Sequence, residues 1–187
     1  APALAAGSRP HVASFSAYGL GMVAMFLASA AFHHLAGRPR RHLKNLDYCA
    51  IGLAIAGTFT PFCALAPQGA RCYGALALVW ALAAGGAALR LSRPELPKRV
   101  FVAFFLAGGW AAGAAAWPAL RLITPAGAAL LVLGGAVYSA GTVFFNRYDG
   151  EVEPPGFGQH EIWHLCILAA AACHFLAIRL CLAPGGF

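Results

Sequence analysis

Long apolar runs alternate with short polar clusters along the whole chain. The runs are rich in Ala, Leu, Gly, Val and Phe, and the interruptions hold the Pro, Arg and Asp that membrane interiors exclude. Each run is about twenty residues long, which is the length of a helix that crosses a hydrocarbon core of about 30 Å. Six such runs predict six transmembrane helices, at residues 13–36, 47–66, 71–91, 99–117, 125–145 and 160–181. We therefore predict an all-α integral membrane protein.

The overall composition agrees with a membrane protein. Of the 187 residues, 60% are apolar and 10% are charged, whereas about a quarter of the residues in soluble domains are charged. Small residues dominate "ALAAGGAAL" (81–89) and "LAGGWAAGAAA" (106–116), and they allow helix backbones to approach closely in lipid. Because no repeat of fixed period is present, we predict a single multi-pass membrane domain over residues 1–187, packed as a tight bundle.

The basic residues predict an orientation. Most of them lie in "RPRRHLK" (38–44) and "RLSRPELPKR" (90–99), which we interpret as short loops. If the first helix runs from outside to inside, nine Lys or Arg residues lie inside, at 38, 40, 41, 44, 90, 93, 98, 99 and 147, and four lie outside, at 9, 71, 121 and 179. The positive-inside rule favours this topology. The net charge of +7 is thereby explained without nucleic acid, and headgroup binding is secondary.

The six cysteines form no C-x-x-C pair, and most lie in apolar runs. A thiol in such a run behaves as a small apolar side chain, so we interpret the cysteines as mainly structural. A disulfide among Cys63, Cys72 and Cys181 is the alternative, because the predicted topology places all three near one membrane face.

Ionisable groups at the ends of spans carry the chemistry, because each is costly in a membrane unless it is paired or binds a metal. The topology brings His33, Asp47, His160 and His164 to the inner leaflet. His160 and His164 are one helical turn apart, and Ser29 has the same relation to His33. Three imidazoles with one open position are typical of catalytic zinc. Asp47 then hydrogen-bonds the metal-bound water or orients a histidine, and Ser29 donates to a substrate oxygen.

Two other interpretations compete for these histidines. Any one of them alone is typical of an interfacial residue with one nitrogen in water. The string "HEIWH" (160–164) also has the H-E-x-x-H spacing of zinc proteases. A transmembrane helix with its third histidine far upstream argues against a protease, and Glu161 then becomes an interfacial residue. His174 lies about 15 Å deeper than His164, so we predict for it a helix–helix hydrogen bond instead.

Four strings resemble one family, the hemolysin III proteins within the progestin and adipoQ receptor superfamily, which includes the adiponectin receptors. They are "SAAFHHL" (29–35), "LDYCAIGLAIAGTFTPF" (46–62), "YSAGTVFF" (138–145) and "FGQHEIWHLCILAAAACHFLAI" (157–178). The resemblance implies a seven-helix bundle with zinc near the cytoplasmic side. It also implies zinc ligands at His33, His160 and His164, with the family aspartate at Asp47 and the serine at Ser29. Six helices are predicted here, so we interpret the chain as truncated or as a shorter member.

Three functions follow as hypotheses, with membrane lipids as partners. The first is a zinc-dependent hydrolase of lipid amides such as ceramide, in which Asp47 takes a proton from the zinc-bound water while Ser29 stabilises the oxyanion. The second is a non-enzymatic membrane receptor that binds a lipid or other ligand and uses zinc structurally. The third is a pore-forming haemolysin. The sequence barely supports it, because apolar helices with few polar stripes do not line a wide aqueous channel.

Overall fold

A computed structural model describes residues 9–35, 40–65, 70–120, 123–147 and 157–182. These residues form six α-helices and no strand: Arg9–His34 (α1), Arg40–Leu65 (α2), Ala70–Ser92 (α3), Lys98–Leu120 (α4), Pro125–Arg147 (α5) and Gln159–Leu182 (α6). All six are long and apolar enough to cross a membrane. The prediction of an all-α protein with six transmembrane helices is therefore confirmed, although the predicted ends at residues 36 and 66 lie outside the described residues.

Helix α2 differs from its prediction, because it begins at Arg40 and not at residue 47. Arg40, Arg41 and Lys44 are exposed on its first turns, so this basic cluster is helical where a loop was predicted. His42, which was also assigned to the loop, is exposed on the same helix. The apolar pattern located the part of the helix inside the bilayer, whereas Arg and Lys are good helix formers that continue the helix into water.

Packing contacts divide the chain into two compact units, Ala1–Leu122 and Ile123–Phe187. In the first unit α1 packs against α2, α2 against α3 and α4, and α3 against α4. In the second unit α5 packs against α6. The assignment of residues 1–187 to one membrane domain stays a prediction.

Glycines allow α1 and α2 to pack with their backbones in direct contact. A Cβ atom added at Gly21 would lie 2.7 Å from the Leu53 carbonyl oxygen, and one at Gly57 would lie 2.8 Å from the Ala17 carbonyl oxygen. Both distances are shorter than a van der Waals contact. Only glycine therefore fits at these two positions, and the small-residue packing predicted for the bundle is present in this pair of helices.

Arg90 is buried, although we predicted it as a loop cation. It lies near the end of α3 with 5% of its surface exposed, and its Nε–H donates to Asn45 Oδ1 at 2.9 Å. Its guanidinium carbon lies 4.4 Å from the Tyr48 ring centroid and 5.0 Å from that of Phe101. The side chain therefore ties α2, α3 and α4 together. Without Arg90, eight basic residues lie on the predicted inner side and four on the predicted outer side, a distribution that still favours the same orientation.

The six cysteines are free thiols. Cys63 and Cys72 are buried among apolar side chains in the first unit. Cys181 in the second unit lies with its Sγ 3.3 Å from Thr124 Oγ1. The structural interpretation of the cysteines agrees with this arrangement, and the alternative disulfide is not formed.

Candidate metal centre

A line of glycines sets the packing of α6 on α5. Gly127, Gly134 and Gly141 are buried at intervals of seven residues along α5. A Cβ at Gly134 would meet the His174 ring, and one at Gly141 would lie 2.7 Å from the Cβ of Cys166. Because α6 lies directly on the α5 backbone, the rotation of α6 about its axis is fixed, and the directions of its histidines are fixed with it.

His174 contacts the neighbouring helix α5. Its Nε2 lies 3.2 Å from the Leu131 carbonyl oxygen, so Nε2–H is the donor in this hydrogen bond from α6 to α5. Its ring centroid is 5.7 Å from that of Tyr138. The predicted helix–helix hydrogen bond is therefore confirmed.

Glu161 caps the start of α6. The backbone N–H of Gly158, the residue before the helix, donates to Glu161 Oε2 at 2.9 Å. The N–H of Ile162 donates to the Gly158 carbonyl oxygen at 3.2 Å. A glutamate at the third helical position that bonds back to the capping residue is half of a capping box. Since this carboxylate is exposed and bound to the backbone, it holds the helix start in place and is not arranged as the base of a protease site.

His160 and His164 point towards one another from successive turns of α6. Their Nε2 atoms are 2.9 Å apart. The two rings are almost perpendicular, at 87°, with centroids separated by 4.5 Å. Both side chains are half-buried. Two imidazole nitrogens that meet at one point are the start of a metal site, because a metal between them would be bound by two ligands from one helix face.

The remaining predicted site residues lie on α1 and α2. His33 is exposed in the last turn of α1, with its ring edge-on to that of Phe32 at a centroid distance of 4.9 Å. Ser29 is half-buried one turn earlier on the same face. Asp47 is half-buried two turns into α2, and so it does not begin that helix as predicted. Their roles in a site stay predictions.

Within the second unit the structure brings together two of the three predicted metal ligands, His160 and His164, and His33 as the third ligand stays a prediction. Three imidazoles suit zinc, copper, iron and nickel, and in catalytic zinc sites they leave one position open for water. The predicted role of Asp47, which is to bind water or orient a ligand, stays a prediction.

Six apolar helices define a multi-pass membrane protein, and one of them carries the His160–His164 pair. The sequence profile of the Haemolysin-III related family matches residues 2–175, and the chain belongs to this family. The family predicted from the four strings is therefore confirmed.

Known relatives come from bacteria and mammals. The Hemolysin-3 homolog of Bacillus subtilis (strain 168) is 31% identical over 173 residues, which cover 92% of this chain and 78% of that protein. Hemolysin-3 of Bacillus cereus is 31% identical over 179 residues, or 95% of this chain and 79% of that protein. The human monocyte to macrophage differentiation factor is 31% identical over 171 residues, covering 86% of this chain and 67% of that protein. No solved structure matches the chain significantly.

Sequence reasoning missed two polar groups. One is the Arg90–Asn45 pair, which the loop assignment of residues 90–99 hid. The other is Asn146 in the last turn of α5, whose Oδ1 is buried with no hydrogen-bond partner among the described residues. Its sequence signal was the polar series Ser139, Thr142 and Asn146, spaced as on one face of a helix.

Proposed function

We propose that this protein is a zinc-dependent hydrolase of lipid amides of the ceramide type, acting within the membrane. The observation that carries the proposal is the meeting of His160 Nε2 and His164 Nε2 at 2.9 Å on a transmembrane helix. Ionisable side chains in such helices are costly unless they bind something or serve a function. A proposed ligand set of three histidines also matches the open zinc sites of hydrolytic enzymes.

In the proposed reaction His33, His160 and His164 hold the metal. Bound zinc would acidify a water molecule and polarise the amide carbonyl. Asp47 accepts the proton as the water oxygen attacks the carbonyl carbon, and the Ser29 hydroxyl donates a hydrogen bond to the carbonyl oxygen. The C–N bond then breaks, and Asp47 returns the proton to the leaving amine. The products are a fatty acid and an amine, so the atoms and charges balance.

The positive-inside bias supports a site near the cytoplasmic side. At that depth the amide of a sphingolipid, which lies just below the headgroup, is within reach of a group at the ends of the helices. The partners in this proposal are therefore membrane lipids, with a lipid amide as substrate.

The test combines metal content with turnover on purified protein in detergent. We expect about one zinc ion per chain in the wild type by elemental mass spectrometry, and its loss in His164→Ala. His42→Ala is the matched control, because His42 is an exposed histidine on α2 outside the proposed ligand set. Asp47→Asn should keep the zinc and lose about 10²- to 10⁴-fold in ceramide hydrolysis, the usual contribution of a general base.

Three outcomes would contradict the proposal. Absence of zinc from the purified wild-type protein would contradict the proposed metal site. A wild type that binds zinc, unfolds at a much lower temperature with a chelator, and leaves a panel of ceramides and other acyl lipids intact would instead support a receptor with structural zinc. Equal turnover in wild type and Asp47→Asn would exclude Asp47 as the base.

A further inference from the structure

Asn146 carries a polar atom that the structure leaves unexplained. Its side-chain Oδ1 is buried and has no hydrogen-bond partner among the described residues. Buried oxygen acceptors in proteins almost always have a donor. The other two members of its polar series are bonded to their own helix: Thr142 Oγ1 donates to the Ser139 carbonyl oxygen at 2.7 Å, and Ser139 Oγ donates to the Gly135 carbonyl oxygen at 2.7 Å.

The register of α5 and α6 gives the depth of Asn146. Along this antiparallel pair, Gly141 is opposite Cys166, and the Phe145 and Trp163 rings follow with centroids 5.2 Å apart. Each step towards the end of α5 is a step back towards the start of α6. Asn146, the next residue, is therefore level with the first turn of α6, where His160 lies.

Helical geometry gives the side of the hairpin on which Asn146 lies. Phe145 faces α6, and Asn146 follows it by about 100° around α5. On α6 Trp163 faces α5, and His164 follows it by about 100° in the same chain sense, with His160 one turn before it. In each helix the rotation is measured along the chain from the residue that faces the other helix. In an antiparallel pair of right-handed helices, equal rotations of this kind point the two side chains to the same side of the pair. Asn146 and the two histidines therefore share one flank of this unit.

The chemistry of a metal-bound imidazole supplies the donor. His160 presents Nε2 to His164, so Nε2 is the nitrogen that would bind the metal and Nδ1 would carry the proton. Histidine ligands nearly always donate their second N–H to an oxygen acceptor, which fixes the tautomer and the ring orientation. His160 Nδ1 is buried, so bulk water is not the acceptor for its N–H, and a protein oxygen at the same depth is suited to that role.

We propose that Asn146 is a positioning residue that orients His160, with Asn146 Oδ1 accepting the Nδ1–H hydrogen bond when the metal is bound. This inference rests on the proposed metal site and adds to it a residue outside the ligand set.

The test measures zinc affinity by competition with a chelator in the purified protein. Asn146→Leu keeps the size of the side chain and removes the acceptor, and we expect a loss of about 10- to 100-fold in zinc affinity. Asn146→Asp keeps an acceptor and should bind zinc as well as the wild type or more tightly. Thr142→Val is the matched control, because Thr142 is on the same polar series but is bonded to its own helix, and its affinity should be unchanged.

A second measurement separates positioning from general packing. In the cobalt-substituted protein, Asn146→Leu should shift the visible absorption bands, while the melting temperature of its metal-free form should match that of the metal-free wild type. Zinc affinity in Asn146→Leu within twofold of the wild type would overturn the inference and leave the metal site standing. Failure of Asn146→Asp to restore affinity, or an equal loss in Thr142→Val, would overturn it too. If the wild-type protein binds no zinc, the proposed metal site itself is contradicted.

Discussion

Arg90 and Asn45 should be energetically coupled, and a double-mutant cycle can measure the coupling. Replacing Arg90 by Met removes a buried hydrogen bond and two ring contacts at once. It leaves Asn45 Oδ1, on a residue that is only 7% exposed, without its donor. Replacing Asn45 by Leu instead leaves the Nε–H of a buried cation without its acceptor. The double variant removes both polar groups together.

The magnitudes follow from these contacts. An acceptor left buried without a donor costs about 1–3 kcal/mol, and each cation–π contact of a desolvated arginine contributes about 0.5–2 kcal/mol. We expect Arg90→Met to lower the free energy of unfolding by about 2–5 kcal/mol, and Asn45→Leu by about 1.5–3 kcal/mol. The double variant should lose less than the sum of these, with a coupling energy of about 1–3 kcal/mol, because it leaves neither group without its partner.

The assay is reversible unfolding by sodium dodecyl sulfate in mixed micelles, followed by tryptophan fluorescence. The control is Arg93→Met, since Arg93 is 68% exposed and its 3.9 Å ion pair with Glu95 is on the surface. That variant should stay within about 0.5 kcal/mol of the wild type. Single-variant losses that add within about 0.5 kcal/mol in the double variant would refute the coupling, and an effect of Arg93→Met equal to that of Arg90→Met would show that burial is irrelevant.

Two further predictions concern the second unit. Glu161→Gln should keep zinc content and ceramide turnover close to wild type, because Glu161 Oε2 accepts a hydrogen bond from the Gly158 backbone N–H. A loss of about 10²-fold or more in turnover at constant zinc content would instead identify Glu161 as the general base. Gly141→Ala should lower the free energy of unfolding by about 1–3 kcal/mol, because its Cβ would lie 2.7 Å from Cys166 Cβ. Its control is Gly109→Ala, whose Cβ meets nothing within 4 Å and which should be neutral or slightly stabilising in the same unfolding assay; equal effects of the two would refute the packing argument.

The helix start at Arg40 illustrates where a hydropathy pattern stops being informative. The apolar run from residue 47 is visible because lipid selects apolar side chains. The two turns before it are polar whether they form a loop or a helix, so hydropathy cannot distinguish them. The burial of Arg90 was missed for a related reason. It depends on Asn45 and Tyr48 from another helix, and a hydropathy pattern contains no information about partners distant in sequence that offset the desolvation of a charge.

The candidate site, too, could be predicted from the sequence only in part. The sequence alone determined the membrane class, the six helices, the family and the H-x-x-x-H pair, because each depends on composition or on spacing within one helix. Only the tertiary structure decided that His160 Nε2 and His164 Nε2 meet, that Glu161 caps its helix, and that the Asn146 oxygen is buried without a donor among the described residues. These depend on the rotation of α6 on the glycines of α5 and on the relative depth of two packed helices. Spacing along one helix specifies neither, because both arise from contacts between residues distant in sequence.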